Sequence, residues 1–159
     1  MRSYTIYEVK GNHRPFVIGR ESLLEELLGA KADGTPVHRE DSREIRFLCR
    51  PVCRETVSEA LISRLDGRFP EVGREGAELL FHHPVKGTIR IGFGTYSLKV
   101  DCDGTRMLDL DLFAGLAGIS GHFFAVREGS RECGWLKPVR YWEIGFGPVR
   151  ELCGNSSLP

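Results

Sequence analysis

Two hydrophobic periods alternate along this chain of 159 residues, and the alternation limits its fold more than any other feature. Segments rich in β-branched and aromatic residues, with apolar residues at alternate positions, predict β-strands. These segments are residues 4–10, 44–49, 79–81, 88–93, 96–100 and 122–126, and residues 16–18 form a return arm or extended loop after the first. Apolar residues three and four positions apart predict helices over residues 22–29, 56–67 and 107–116. Strands interleaved with helices indicate an α/β (α+β) fold, in which a mixed β-sheet is flanked by about three helices.

The chain has the length of one small domain, and folding at this size buries roughly two-thirds of the unfolded surface. Residues 33–42 and 67–76 are rich in turn formers and charge, which predicts exposed loops. Residues 145–159 contain several turn formers and no hydrophobic period. We therefore expect a single domain over residues 1–143 and a flexible tail over residues 144–159.

Several positions carry more specific expectations. The second predicted strand places Ile45, Phe47 and Cys49 on one buried face. In the third predicted helix, Asp109 falls on the side that points outward. Trp135 is a large aromatic residue after the last strand, so we expect it to close the core.

Charge and cysteine content restrict the environment of the protein. The 22 Lys and Arg residues balance the 22 Asp and Glu residues, so the chain lacks the basic excess of a protein that follows a phosphate backbone. We expect no direct nucleic-acid binding. The apolar stretches are far shorter than the roughly twenty residues that cross a bilayer, so we expect no membrane association. Five cysteines, an odd number without a CxxC spacing, favour reduced thiols and a cytoplasmic location.

No group of residues has the spacing of a catalytic or metal site. Cys49 and Cys53 match no common zinc pattern together with His82 and His83, and adjacent strand residues point to opposite faces. Cys133 has no histidine nearby in sequence to activate it as a nucleophile. We therefore predict no catalytic residue, no metal and no cofactor, and a protein that is not an enzyme.

Four motifs spread over most of the chain are similar to those of one known family. They are Tyr-Thr-Ile-Tyr at residues 4–7, Phe-Val-Ile-Gly-Arg-Glu-Ser-Leu-Leu at 16–24, His-Phe-Phe-Ala-Val at 122–126 and Gly-Trp-Leu-Lys-Pro-Val at 134–139. In this order and register the chain resembles the sporulation inhibitor of replication (SirA-type) family of endospore-forming bacteria. The residues after 143 lie outside the resemblance.

The resemblance implies a non-enzymatic regulator that binds the N-terminal domain of the replication initiator DnaA. By occupying that domain, such a regulator blocks assembly of the initiator at the origin during entry into sporulation. The implied fold is a small mixed sheet flanked by helices, and the implied assembly is a monomer that forms a heterodimer with the initiator.

The family's partner-binding surface surrounds its first strand, the loop into the Gly-Arg-Glu-Ser turn and the strand after the first helix. The partner-binding residues that the resemblance implies here are His13, Arg14, Phe16, Val17, Arg20 and Glu44. Family members tend to carry aromatic or amide side chains where His13, Val17 and Glu44 align. Phe16 and Val17 are apolar residues in a polar turn, as the exposed anchors of a binding patch are. Arg20 has a second interpretation, in which it pairs with a nearby carboxylate and holds the turn.

Two other functions stay open from the residues alone. A small-molecule or nucleotide-sensing domain would form its pocket from the hairpin at residues 92–96 with His82 and His83, and a deep apolar cavity with converging polar groups would favour it. A direct DNA binder would need its arginines on one face despite the balanced total charge.

Overall fold

Seven strands form one sheet in the computed structural model of the chain, which describes residues 1–21, 24, 28 and 43–137 and only the backbone of Phe16. The strands are β1 (Arg2–Glu8), β2 (Glu71–Glu75), β3 (Glu78–His83), β4 (Gly87–Phe93), β5 (Ser97–Gly104), β6 (Phe123–Arg127) and β7 (Cys133–Trp135). Their order across the sheet is β2-β3-β4-β5-β1-β6-β7, so β1 lies inside the sheet and β2 and β7 are its edges.

Every described pair of neighbouring strands is antiparallel. The α+β fold class is confirmed, whereas the expectation of a mixed sheet is wrong about strand direction. The reason is the position of β1. A helix connects β5 to β6, which run in the same direction, but β1 lies between them and is antiparallel to both.

Four helices complete the described part of the fold. They are α1 (Arg14–Val17), α2 (Arg43–Leu48), α3 (Arg54–Leu65), which continues into a 3-10 turn (Asp66–Arg68), and α4 (Met107–Ile119). Glu21, Leu24 and Leu28 also have helical backbone, in agreement with the first predicted helix. The remaining residues of that helix, including Ser22, and the predicted loop after it lie outside the described residues, as do residues 138–159, which contain the predicted tail.

One face of the sheet packs against α3 and α4 and forms the first core. Strand residues at alternate positions supply it, because successive side chains of a strand point to opposite faces. Its members include Leu79, Phe81, Ile89, Ile91, Leu98 and Val100 of the strands and Leu61, Leu65, Leu108, Leu112 and Leu116 of the helices. Leu108, Leu112 and Leu116 of α4 are buried, whereas its fourth leucine, Leu110, is exposed.

The opposite face of β1, β6 and β7 carries a second core. Its sheet residues are Tyr7, Val9, Phe124, Val126 and Trp135, and it is covered by Val17, Ile18, Leu24, Leu28, Ile45, Leu48 and Cys49. Trp135 packs edge-on against Phe124, with ring centroids 5.2 Å apart. The prediction that Trp135 belongs to the core is confirmed. The second core therefore holds the N-terminal segment of the chain against one side of the sheet.

The segment expected as the second strand is the helix α2. Ile45, Leu48 and Cys49 are buried, which is the spacing of one helix face, while Phe47 is 62% exposed. A strand and a helix would both bury Ile45 and Cys49. They differ only in whether Phe47 or Leu48 is buried with them. A segment of this length does not distinguish them, and the strand prediction for residues 44–49, with Phe47 buried, is wrong.

Two other segments differ from their predicted form. Residues 16–18, expected as an extended arm, lie at the end of the single helical turn α1, whose proline in the first turn favours a helical start. Residues 67–76, expected as an exposed crossing, contain the edge strand β2, in which each residue is exposed. Because pairing with β3 alone holds β2 in the sheet, no apolar period marks it.

Asp109, expected to point outward, is buried against the sheet. Arg2 donates two guanidinium N–H groups to its carboxylate, at 2.8 and 2.6 Å, and the Tyr4 hydroxyl donates a further hydrogen bond at 2.5 Å. Burial by itself would raise the pKa of Asp109, but these donors outweigh it and the pKa is lowered. Burial, together with the bond to Asp109, raises the pKa of Tyr4 to about 12. A polar contact therefore fixes α4 to β1.

Candidate partner-binding surface

The end of β1 and the helix α2 are joined by backbone pairing. Val9 and Cys49 form an isolated antiparallel bridge. Beside it, the Lys10 N–H donates to the carbonyl of Leu48 at 2.8 Å, and the Lys10 ammonium donates to the carbonyl of Arg46 at 3.0 Å. These bonds place α2 next to the loop that leads from β1 into α1.

An aromatic pair, of which Phe47 is exposed and His13 is half-buried, lies at this junction. The ring centroids of His13 and Phe47 are 4.3 Å apart, and the two rings are inclined by 35°. Glu44 is exposed one helical turn before Phe47, so both side chains lie on the same side of α2. We call the surface formed by Lys10, His13, Glu44 and Phe47 the N-terminal face. An aromatic group that is stacked and still exposed offers apolar area for contact with another molecule.

Four of the six predicted partner-binding residues have described side chains that reach the solvent. Arg20 and Glu44 are exposed, and His13 and Arg14 are half-buried. The guanidinium of Arg14 lies 5.3 Å from the ring centroid of Trp135, so Arg14 also stabilises the second core. The structure brings His13 and Glu44 onto the N-terminal face.

The other two predicted residues have different outcomes. Val17 is buried in the second core beside Ile18, so the expectation that Val17 is an exposed anchor is wrong. Val17 is buried because α1 is a helical turn, and Val17, its last residue, packs into the second core. The side chain of Phe16 lies outside the described part of the chain, and its role as an anchor stays a prediction.

Phe47 is the exposed apolar residue that sequence reasoning missed. The strand interpretation placed it on a buried face, and so it was not considered as a contact. The helical spacing of Ile45, Leu48 and Cys49 leaves Phe47 on the opposite side and is the signal that identifies it.

The turn after α1 holds the start of this region in place. Gly19 has a φ of +83°, in the left-handed region that glycine adopts without strain. The carboxylate of Glu21 accepts the backbone N–H of Gly19 at 3.2 Å and the indole N–H of Trp135 at 3.3 Å. Two motifs that are far apart in sequence, Gly-Arg-Glu-Ser and Gly-Trp-Leu-Lys-Pro-Val, therefore meet at one carboxylate.

A protein-family model described as sporulation inhibitor of replication protein SirA matches residues 2–140, which is most of the chain. The chain belongs to this family. Membership makes it a regulator that inhibits replication in sporulation, in agreement with the resemblance found in the motifs. No curated protein matches the chain significantly.

In this member of the SirA family, the histidine pair considered for a sensing pocket shapes a turn. The ring of His82 is hydrogen bonded to the Thr88 hydroxyl at 2.8 Å. The Nδ1 atom of His83 accepts the backbone N–H groups of Val85 and Lys86 at 3.0 and 3.1 Å. Both side chains thus stabilise the connection between β3 and β4.

The cysteine thiols differ in their environments. Burial raises the pKa of Cys49 and of Cys102 to about 12, which keeps both thiols protonated at neutral pH. Cys53 is exposed, and hydrogen bonding with Thr56 lowers its pKa. Among the residues that the structure describes, no three His, Cys, Asp or Glu side chains are grouped as metal ligands. None of the described helices is long and apolar enough to cross a membrane.

Proposed function

We propose that this SirA-family protein inhibits the initiation of replication by binding the N-terminal domain of DnaA through its N-terminal face. The observation that supports the proposal most directly is the exposed ring of Phe47, stacked on His13, in the region where the family resemblance expects the partner. Phe47 supplies the apolar anchor that Val17 cannot supply.

The physical properties of the face suit a specific protein contact. An interface of standard size buries roughly 800 Å² on each partner, and a few anchors near its centre provide most of the binding energy. On the N-terminal face the cation Lys10 and the anion Glu44 lie beside an aromatic pair. Backbone hydrogen bonds between β1 and α2 fix the face, so little conformational entropy is lost on binding.

The inhibitory mechanism is steric. The protein, as a monomer, occupies the initiator domain in a one-to-one complex in the cytoplasm, and the initiator then cannot assemble at the origin. No catalytic step and no cofactor take part. Residues 1–143 form the domain that carries this activity, and residues 144–159 form a tail outside it.

The test is the affinity of purified variants for the N-terminal domain of the host's own DnaA. Phe47→Ala should weaken the complex at least about tenfold, because it removes the anchor of the face. Glu44→Arg should weaken the complex as well. Both variants should keep the unfolding midpoint of the wild type, since both side chains are exposed. In growing cells, the wild-type protein should lower the ratio of origin to terminus DNA, and Phe47→Ala should not.

Val85→Ala is the matched control, because Val85 is an apolar residue of 79% exposure in the turn between β3 and β4. It should bind the initiator domain as the wild type does. Unchanged binding by a stably folded His13→Ala, Phe47→Ala double variant would exclude this face. Failure of the wild-type protein to bind its own initiator would refute the proposed partner.

A further inference from the structure

Helix α4 has an unusual distribution of polar residues. Its two charged side chains, Asp109 and Asp111, are only 5% and 3% exposed. Its exposed positions are Met107, Leu110, Ala114 and Gly118. A surface helix normally places polar residues toward water and apolar residues toward the core. On α4 the solvent side has no polar side chain at all.

Partners within the fold neutralise both carboxylates. Asp109 is paired with Arg2, and Asp111 is paired with Arg68 at 2.7 Å and with Lys86 at 2.9 Å. The acidic residues of α4 therefore add no free charge to its outer side. Met107 is 49% exposed and Leu110 is 62% exposed, so two large apolar side chains of this helix face the solvent.

A groove of about 380 Å³ continues this apolar surface toward the sheet. Leu110 and Phe113 of α4 form one wall, and Leu136 contributes to the other side. Its floor contains Ala125 and Gly134, which are directly paired between β6 and β7. A Cβ atom on Gly134 would meet nothing within 4 Å, so small residues at these two positions keep the groove open. We call Met107, Leu110, Ala114 and this groove the α4 face.

Arginines border the α4 face. Arg106 and Arg127 line the groove, and Arg127 is paired with Glu132 at 2.9 Å. At the other end of the helix, the guanidinium of Arg64 covers Gly118 so closely that a Cβ at this glycine would overlap it. The two carboxylates that line the groove are both paired with arginines, Glu132 with Arg127 and Asp109 with Arg2, whereas Arg106 and Arg64 add positive charge at the border. The border of the face therefore favours an acidic partner.

We propose that the α4 face binds an acidic amphipathic helix of a partner protein. In this mode the apolar side chains of the incoming helix enter the groove and cover Leu110, as in other complexes in which a helix occupies a groove. Its flanking carboxylates pair with Arg106 and Arg64. Because α4 packs on the first core, this face lies on the side of the sheet opposite the N-terminal face. The protein can therefore hold this second partner while its N-terminal face is occupied.

The test uses two synthetic amphipathic peptides as probes of the full chain. Both have the same leucine face, and the positions that flank it are Glu in one peptide and Lys in the other. Fluorescence anisotropy should show saturable binding of the Glu peptide, at least about tenfold tighter than that of the Lys peptide. Leu110→Asp should lower the affinity for the Glu peptide at least about tenfold, and Arg106→Glu should lower it several-fold. Val85→Asp, which places the same charge at an exposed apolar site elsewhere, should have no effect.

Other results would overturn the proposal. They are equal affinity for the two peptides, no saturable binding of the Glu peptide, or unchanged binding by Leu110→Asp. A lower unfolding midpoint of Leu110→Asp would show that the chain itself covers the face, and dissociation of a wild-type dimer by Leu110→Asp would show that a second copy covers it. Loss of initiator binding in Leu110→Asp would assign the face to the initiator. If Leu110→Asp still binds the initiator but no longer binds the Glu peptide, the α4 face and the N-terminal face are separate binding surfaces.

Discussion

Asp109 connects two parts of the fold that are about a hundred residues apart in sequence. It lies on α4, and it accepts hydrogen bonds from Arg2 and Tyr4 of β1. Because both charged side chains of the pair are largely shielded from water, removing one of them leaves the other without its compensating charge. The contribution of this ion pair to the free energy of unfolding is therefore measured by replacing one of its two residues.

Asp109→Asn should therefore lower the free energy of unfolding by about 3 kcal/mol, as the loss of one partner of a buried ion pair does. Denaturant unfolding measures the change. Glu132→Gln is the control, because it breaks the ion pair of Arg127 at an exposed carboxylate and should cost less than about 1 kcal/mol. Equal losses in the two variants would contradict the role assigned to Asp109.

His122 gives the stability a pH dependence near neutrality. Burial, with the nearby charge of Arg14 as the next contribution, lowers its pKa below the ordinary value of 6.5. The unfolded chain therefore takes up the proton first as the pH falls, and stability decreases from about pH 6.5 down through the pKa of the folded state. The lowered pKa of Asp109 acts in the same direction, but only below its ordinary value of 3.8.

We expect the free energy of unfolding to be smaller at about pH 5 than at about pH 7, and His122→Gln to reduce this difference. Denaturant unfolding at the two pH values is the measurement. An identical difference in wild type and variant would show that another group is responsible.

The helix α3 carries one polar side chain, that of Ser58, on its buried face. Ser58 is fully buried among the residues that pack on the sheet, and its hydroxyl has no hydrogen-bond partner among the described residues. A buried hydroxyl without a partner costs about 1–3 kcal/mol. Alanine also has a higher helix propensity than serine.

Ser58→Ala should consequently raise the free energy of unfolding by about 1 kcal/mol. The matched control is Ser63→Ala on the exposed side of the same helix, where only the gain of about 0.5 kcal/mol in helix propensity applies. A thermal melt of each variant compares the two. Destabilisation by Ser58→Ala would mean that the hydroxyl is used.

Two cores lie on opposite faces of one sheet and separate the two proposed binding surfaces. The first core supports α4, and the second supports the segment that forms the N-terminal face. The second core includes Trp135 of the edge strand β7, and the family match ends at residue 140. The fold should therefore be complete before residue 144.

Removing residues 144–159 should leave the unfolding midpoint and initiator binding unchanged. A chain shortened to residues 1–132 should instead be destabilised by more than about 3 kcal/mol, because it loses β7 and the buried ring of Trp135. Differential scanning calorimetry of the two shortened chains makes the comparison. A midpoint several degrees lower without residues 144–159 would show that the tail packs on the domain.

The candidate site was only partly predictable. The family resemblance pointed to the region of the N-terminal face, and two of the residues it implied, His13 and Glu44, lie on that face. They did not identify Phe47, because its exposure depends on α2 being a helix. Val17 was misassigned for a related reason, since a single helical turn directs its side chain into a core formed by residues far away in sequence.

The sequence was sufficient to assign the elements that bury one continuous face, namely α4 and the strands β3 to β6, because their hydrophobic period is a local property. It also determined the family, since the motifs that carry the resemblance lie in elements of the second core. The three-dimensional contacts were needed to show that α2 is a helix, that β2 pairs at the edge and that Asp109 points inward. For α2 and Asp109 the deciding contacts come from residues far away in sequence, Val9 and Lys10 for α2 and Arg2 for Asp109, which no local pattern records. The strand β2 pairs with the next strand, β3, and its exposed residues form no apolar period.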